Sequence, residues 1–228
     1  MTTLADLRAK VIATVRDDSQ KLVNPDDYDR AINAALRKYS LHRPDYATTD
    51  IAGNGTHDLA LPTGWVDGYS MISSAEYPIG QVPSELLAND EVDIYRSPTA
   101  LKIRLRDVAP AAAESVRLTF TIQRSAATVP DNDIDAVAWL SAALCCEDLA
   151  NAFAQSTDSS IAADSVDYRD KSQKFASRAK RLMQLYKEHL GLKDNDTVTP
   201  ASVVSDIDVG YPGGGGRLTH PRWMRERR

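Results

Sequence analysis

The chain is short of cysteine, of long apolar runs and of every compact catalytic motif. Its two cysteines, Cys145 and Cys146, are adjacent, and neighbouring cysteines cannot close an unstrained disulfide with each other. They read as reduced, buried apolar groups, which suits a reducing compartment. No stretch approaches the roughly 18 to 20 uninterrupted apolar residues of a membrane-spanning helix. The opening Met1-Thr2-Thr3-Leu4-Ala5-Asp6-Leu7-Arg8 lacks an apolar signal core, so a cleaved secretion signal is not expected. A phosphate loop needs Gly-x4-Gly-Lys-Ser/Thr, and the glycine run at 213–216 leads instead into Arg217-Leu218. There is no Gly-x-Ser-x-Gly elbow. The four histidines, His42, His57, His189 and His220, are scattered, without i, i+4 pairing or neighbouring cysteines, so zinc is not expected. No cofactor, metal or enzymatic activity is expected.

What is present is the composition of an ordinary globular chain: 228 residues, 43% hydrophobic and 26% charged. The net charge of −5 is unevenly spread. Five arginines and one Glu lie between Arg217 and Arg228, and subtracting that +4 from the net −5 leaves −9 on the remaining 216 residues. An acidic body argues against wrapping nucleic acid, and a basic tail on it suggests a partner.

Periodicity divides the chain into helical ends and a central β region. Leu4, Leu7, Val11, Ile12 and Val15 recur at helical spacing. Asn24-Pro25-Asp26-Asp27 reads as a helix start with Asn24 as cap, followed by the stripe Tyr28, Ala31, Ile32, Ala35, Leu36 and Tyr39. Pro44 ends that helix near His42. Between 46 and 125 the apolar runs shorten. Strands are expected at Tyr69–Tyr77 and Val92–Tyr95. Leu101, Ile103 and Leu105, then Val116, Leu118, Phe120 and Ile122, alternate with polar residues. These last two segments are expected to be antiparallel neighbours. Helix resumes after Pro130 with Asp131 as cap, and from Ile134 to Phe153 it is apolar on nearly every side, so it belongs in a core. A last helix is expected from about Ser165 to Leu190, with Gly191 as its stop.

The expected fold class is therefore α+β. A four-helix domain (1–45 and 126–192) is interrupted by a small antiparallel β module (46–125), and an extended C-terminal arm (193–228) follows, with a glycine hinge. The acids Asp131, Asn132-flanked Asp133 and Asp135 imitate the start of a calcium loop, but Ala136 and Ala142 stand where its Gly and Glu belong. They read better as helix-start acids. Asp158, Asp164, Asp167 and Asp170 could form a carboxylate site for a metal-dependent hydrolase, although capping and solvation explain them too. The tail is more distinctive. Trp223 and Met224 are set among arginines, and Trp and Arg are the side chains that dominate binding hot spots.

The stretch Pro130–Leu190 resembles bacteriophage head–tail adaptor proteins, also called head–tail connector or head-completion proteins. The residues that carry the resemblance are Ala136-Val137-Ala138-Trp139-Leu140-Ser141-Ala142-Ala143-Leu144-Cys145-Cys146-Glu147, then Ser159 to Arg169, Lys171-Ser172 and Ala176-Ser177-Arg178-Ala179. The N-terminal hairpin with Tyr28, Ala31, Ile32 and Tyr39, and the tail Arg217-Leu218-Thr219-His220-Pro221-Arg222, are similar to such proteins as well. The resemblance covers about half of the chain. It implies a structural virion protein that forms a ring, usually twelvefold, beneath the portal, connects capsid to tail and extends the DNA channel. The implied partners are the portal protein, a stopper or tail-side protein and further copies of the chain. DNA would pass through without sequence-specific binding, and no membrane is involved. The implied location is the virion's head–tail interface, with assembly in the host cytoplasm. The arm residues expected to grip the portal are Arg217, Leu218, His220, Arg222, Trp223, Met224, Arg225, Arg227 and Arg228. Tyr168, Arg169, Lys171 and Arg178 mark an expected inter-subunit helix. A stopper or tail-completion protein is the alternative, but a stopper would be mostly β, and the long C-terminal helices argue against it.

Overall fold

The computed structural model describes residues 2–155 and 168–192, with side chains from residue 171 onward in the second stretch. Within them the fold is α+β, four helices and two three-stranded antiparallel sheets. The helices are α1 (Leu4–Val15), α2 (Asp26–His42), α3 (Ile134–Ala154) and α4 (Tyr168–Leu190). The strands are β1 (Asp45–Ala52), β2 (Asp58–Ala60), β3 (Ile72–Glu76), β4 (Val92–Arg96), β5 (Leu101–Leu105) and β6 (Ser115–Ile122).

Local chemistry sets the helix ends. Thr3 and Asp6 form a capping box: the Thr3 hydroxyl accepts from the Asp6 amide at 3.2 Å, and Asp6 accepts from the Thr3 amide at 2.9 Å. At the other end of α1, Arg16 adopts the left-handed conformation with φ 49° and its amide bonds Ile12 O. Asn24 does not cap α2. Pro25 occupies the cap position, and the Asp27 carboxylate accepts from the Val23 amide at 2.8 Å. Asp27 thus closes the turn that Asn24 was expected to close. Asp131 does not cap α3 either. Residues Asp131–Asp133 form a 3-10 turn, and no side chain caps the helix.

One apolar cluster draws on all four helices, with Leu7, Val11, Ile32, Leu36, Val137, Leu140, Leu149, Phe153 and Leu182 buried in it. Its axis is α3, where Ala136, Val137, Ala138, Leu140, Ala142, Ala143, Cys145, Cys146 and Leu149 are all at most 1% exposed. Small residues let three neighbouring helices approach α3 from different sides. The segment Asp131–Ala154 is long and apolar enough to cross a membrane by length and composition, and 67% of its most apolar stretch is buried in the protein. Burial pushes the thiols of Cys145 and Cys146 up to about 12 and about 11, so both are inert apolar groups.

A second cluster lies between the sheets: Leu59, Ala75, Ile103, Leu105, Val116, Leu118 and Phe120. One sheet has the order β1-β6-β3, the other β2-β5-β4. Here an expectation is corrected, because β5 and β6 are not neighbours. β5 pairs with β2 and β4, and β6 with β1 and β3. Alternation specifies which face of a strand is buried, and both strands do bury that face in the same core. It does not specify the hydrogen-bonded partner. β1, absent from the expected strands, has the pattern of a half-buried edge.

On the outer face of the first sheet Asp50, Arg117 and Glu76 form a ladder: Arg117 holds Asp50 bidentately at 2.8 and 3.0 Å and approaches Glu76 at 3.5 Å. Thr48 and Thr119 share a hydroxyl bond at 3.1 Å in the next row. In the row nearest the helices Tyr46 and Met71 flank Thr121, whose hydroxyl accepts from the Met71 amide at 2.9 Å.

Gly53 marks the close approach between β1 and the loop before β6. A Cβ there would lie 2.3 Å from Ala111 O and 2.5 Å from Pro110 O, both backbone atoms that cannot turn aside. Gly53→Ala is expected to destabilise the chain by about 1–3 kcal/mol, measured as a lowered urea midpoint. An unchanged midpoint would show that the 110–111 backbone yields freely.

Candidate functional site

The most concentrated polar chemistry in the described residues surrounds Asp133, which is 1% exposed. The 3-10 turn before α3 pushes this carboxylate inward, between the C-terminal ends of α2 and α4. Tyr39 donates to Oδ2 at 2.5 Å, Arg43 donates to the same oxygen at 2.8 Å, and His189 Nε2 stands 2.9 Å from Oδ1. A carboxylate only accepts, so Nε2 carries the proton. Burial alone would raise the Asp133 pKa. The donors Tyr39, His189 and Arg43 outweigh it and hold the carboxyl below its ordinary range. Burial and the bond to Asp133 push the Tyr39 phenol up.

A second pair extends this hub. The Tyr186 hydroxyl lies 2.6 Å from His42 Nδ1. Burial lowers the His42 pKa, and Lys38 adds to the effect. Burial raises that of Tyr186. Both groups are thus held neutral and share one hydrogen bond. His189 also meets the Trp139 ring edge-on at 6.0 Å between centroids.

Chemically the hub is a clamp. The Asp133–His189 contact superficially matches the acid–imidazole half of a hydrolytic triad. However, Asp133 is closed off by three donors from α2, the residue after that helix and α4, each of which holds those elements in place. No group of three or more His, Cys, Asp or Glu among the described residues could hold a metal ion.

Beside the hub lies a surface hollow of about 400 Å³, lined by His42, Arg43, Pro44, Tyr46, Arg124, Leu190 and Leu192. Arg124, one of the lining residues, sits at the joint between helices and sheet. It donates to Arg43 O at 2.8 Å, to Pro44 O at 3.0 Å and to Thr128 O at 2.5 Å, and its amide donates to Ser40 Oγ at 2.9 Å. The Tyr69 hydroxyl ties the same joint, donating to Ser40 O at 2.8 Å.

Of the site residues expected from the sequence, Arg217, Leu218, His220, Arg222, Trp223, Met224, Arg225, Arg227 and Arg228 lie outside the described residues. So do the carboxylates Asp158, Asp164 and Asp167, the Ser165 helix start and the 213–216 glycine run. Tyr168 and Arg169 open α4, and their side chains are likewise outside. Lys171 sits 5.7 Å from the Phe153 ring centroid. Arg178 turns inward and donates to Thr14 O and Val15 O, supplying partners for carbonyls left open at the end of α1.

The hub was missed in the sequence because its members are 94 and 56 residues from Asp133 along the chain. The legible trace was Tyr39 followed four residues later by Arg43, which continues the buried stripe of α2 with a charge.

No family model matches the chain, and no curated protein does. Among solved structures, a chain of the virion of a native gene transfer agent particle aligns with 74% of this chain and 87% of its own length, at 12% identity and TM-score 0.27. A chain from the neck of a native particle, computed with C12 symmetry, aligns over 76% and 91%, at 12% identity and TM-score 0.27. One from the neck of an empty particle, computed with C6 symmetry, aligns over 74% and 87%, at 11% identity and TM-score 0.28. Superpositions this loose carry neither fold nor function across.

His42 and Asp133 give a signed pH dependence. His42 is depressed in the folded chain, so the unfolded chain binds protons first. Its contribution is complete above its ordinary value of 6.5 and is lost as the pH falls below it. Asp133 follows below its ordinary value of 3.8. Urea midpoints are expected to fall between pH 7.5 and 5.5, and His42→Asn, which keeps a hydrogen-bonding group for Tyr186 without titrating, should flatten that segment. A slope identical to wild type would remove His42 from the account. Asp133→Asn should cost about 2–3 kcal/mol at pH 7, because an amide turns a donor toward one of three donors.

Proposed function

We propose that this chain is a structural component of a phage-like particle, and more specifically a head–tail adaptor. Copies form a ring beneath the portal, connect capsid to tail and extend the DNA channel. The observation that carries the reading is the stretch 136–179. Of the residues that carry the adaptor resemblance, Ala136–Glu147 lie in α3, the axis of the helical core, and Tyr168, Arg169, Lys171, Ser172 and Ala176–Ala179 lie in α4, while Ser159–Asp167 lie outside the described residues. The described polar chemistry supports a scaffold. The buried carboxylate, the histidine pairs and Arg124 are all consumed in holding elements together.

In this reading residues 1–45 and 126–192 are the adaptor domain, 46–125 an inserted module, and 193–228 the arm that binds the portal protein. Arg217, Arg222, Trp223, Met224, Arg225, Arg227 and Arg228 supply arm contacts of the kind that dominate interfaces. A ring of identical arms binds with avidity, since after the first contact the others are intramolecular. The acidic body fits a channel that conducts DNA without holding it, because like charges repel and few counterions are released. The chain works in the virion, at the head–tail interface, after assembly in the host cytoplasm. It has no enzymatic activity.

Native mass spectrometry of the chain, alone and mixed with a portal protein, tests this. The expected result is a fixed multiple of copies on the portal. A chain that ignores the portal would move the reading to a tail-side component. Deleting 210–228 should abolish attachment while leaving the circular dichroism spectrum of the helices in place. Trp223→Ala should weaken portal binding by about 2 kcal/mol, roughly 30-fold. Unaltered affinity would return Trp223 to solvent.

A further inference from the structure

A bare sheet edge is a row of main-chain donors and acceptors that recruits another strand. The edge of β3 is taken up by the returning chain: Leu87 N donates to Ala75 O at 2.8 Å, and Glu76 bridges Leu86. The edges of the other sheet, β2 and β4, are only three and five residues long. β1 is the long edge. Its eight residues pair with β6 in unbroken register, from Asp45 opposite Ile122 to Ala52 opposite Ser115. It carries no bulge, proline or lysine, the devices that blunt an edge. Its two acids, Asp50 and Asp45, are held by Arg117 and Arg124. The ladder shows which groups are bare. Gly53 N donates to Glu114 O at 2.8 Å, one pair beyond Ala52 and Ser115, so the odd-numbered residues of β1 are the ones bonded to β6. Thr121, opposite Tyr46, accordingly turns its amide the other way, to Met71 O at 2.9 Å. The main-chain groups of Tyr46, Thr48, Asp50 and Ala52 therefore point away from β6. Tyr46 N bonds Asp45 Oδ1 at 3.1 Å. Among the described residues no strand stands across from Thr48, Asp50 or Ala52. The core is open on the same side, where Ala47 and Ile51 are only partly buried while Val116, Leu118 and Phe120 on β6 are at most 1% exposed.

The chain itself holds a strand of matching length. Residues 203–209 read Val203-Val204-Ser205-Asp206-Ile207-Asp208-Val209. Four of these seven are the β-branched Val or Ile that favour strands. Alternation places Val203, Ser205, Ile207 and Val209 on one face and Val204, Asp206 and Asp208 on the other. Pro200 and Pro212, which cannot donate to a ladder, bound the segment on either side. The path is long enough. Leu190 and Leu192 at the end of α4 lie beside Tyr46, so the chain leaves the helix near the start of β1. The ten residues 193–202 reach about 33–36 Å when fully extended, and the eight residues of β1 span about 27 Å. The chain can pass the far end of β1 and return along it.

We infer that residues 203–209 add to β1 of the same copy as an antiparallel fourth strand of the β1-β6-β3 sheet. The outward main-chain groups of Thr48, Asp50 and Ala52 bond to it. Its face with Val203, Ile207 and Val209 lies on the side of Ala47 and Ile51 and closes the open flank of the core, and Asp206 and Asp208 face water. Both sheets are antiparallel throughout, and antiparallel pairing is slightly the more stable per residue. The inference stands on the edge and the segment and does not depend on the adaptor reading. Joined to that reading, it fixes the root of the arm on the body and leaves Arg217–Arg228, beyond the glycine run, as the part that reaches the portal.

The test is amide hydrogen exchange, followed residue by residue by NMR on the full-length chain. The amides of Thr48 and Asp50 are the probes. Those of Thr49 and Ile51, bonded to β6, report whether the sheet itself is intact. The expected result is that Thr48 and Asp50 exchange at least tenfold more slowly than exposed amides, with amides protected at alternate positions of 203–209. Ile207→Pro, which interrupts the added strand, should release Thr48 and Asp50 at least tenfold while Thr49 and Ile51 keep their protection. Thr48 and Asp50 that exchange in the unsubstituted chain as fast as exposed amides overturn the inference, however the variant behaves. Protection that survives Ile207→Pro assigns the edge to another segment and overturns it as well. Protection that disappears on dilution, together with a multimer in sedimentation, gives the strand to a neighbouring copy and overturns the pairing within one chain.

Discussion

A charged carboxylate buried to 1% exposure is tolerable only if the protein surrounds it with donors, and the arrangement around Asp133 follows from that demand. Tyr39 and Arg43 must come from the end of α2, His189 from the end of α4, and the 3-10 turn must hold Asp133 between them. Two helices far apart in sequence are thereby fixed in register at one end. The apolar contacts along α3 hold the bundle together, but such contacts are not directional. The carboxylate supplies the direction, much as a single buried polar group fixes register in other helical assemblies.

The same end of the bundle receives the β module. Ser40, in the last turns of α2, accepts from Arg124 and offers its carbonyl to Tyr69, so the helix carrying Tyr39 and Arg43 also anchors the sheet. Hub and joint are therefore adjacent, and the hollow is the space left where α2, β1 and the end of α4 meet. Surface ion pairs play a lesser part. Arg8 with Asp29 and Arg104 with Asp58 are bidentate and well formed, yet pairs in contact with water add little each.

Patterns that depend on one segment alone were legible in the sequence. The stripe from Tyr28 to Tyr39, the all-round apolar character of α3, and the alternation in β5 and β6 each report a buried face, and each face is buried. Pairing was not legible, because β5 and β6 show the same alternation whichever strand lies alongside them. Nor was the hub. Asp133 sits among Asp131 and Asp135, and nothing local distinguishes the acid that turns inward from the two that stay exposed. Arg178 shows the same limit. A guanidinium on a helix surface reads as a contact to the outside, and only the tertiary structure reveals that it is spent on Thr14 O and Val15 O at the end of α1.

The clamp at Arg124 divides substitution tolerance unequally. Its three guanidinium bonds run to the main-chain oxygens of Arg43, Pro44 and Thr128, which any residue at those positions would offer. The chain around the joint can therefore drift in side chain while keeping its shape, provided the one planar fork that reads those oxygens stays. A lysine there would present a point charge to a three-way geometry it cannot match. The joint between the helices and the sheet thus concentrates its dependence on sequence in a few side chains, Arg124 first and then Tyr69 and Ser40, and leaves the surfaces on either side free to change with whatever they come to touch.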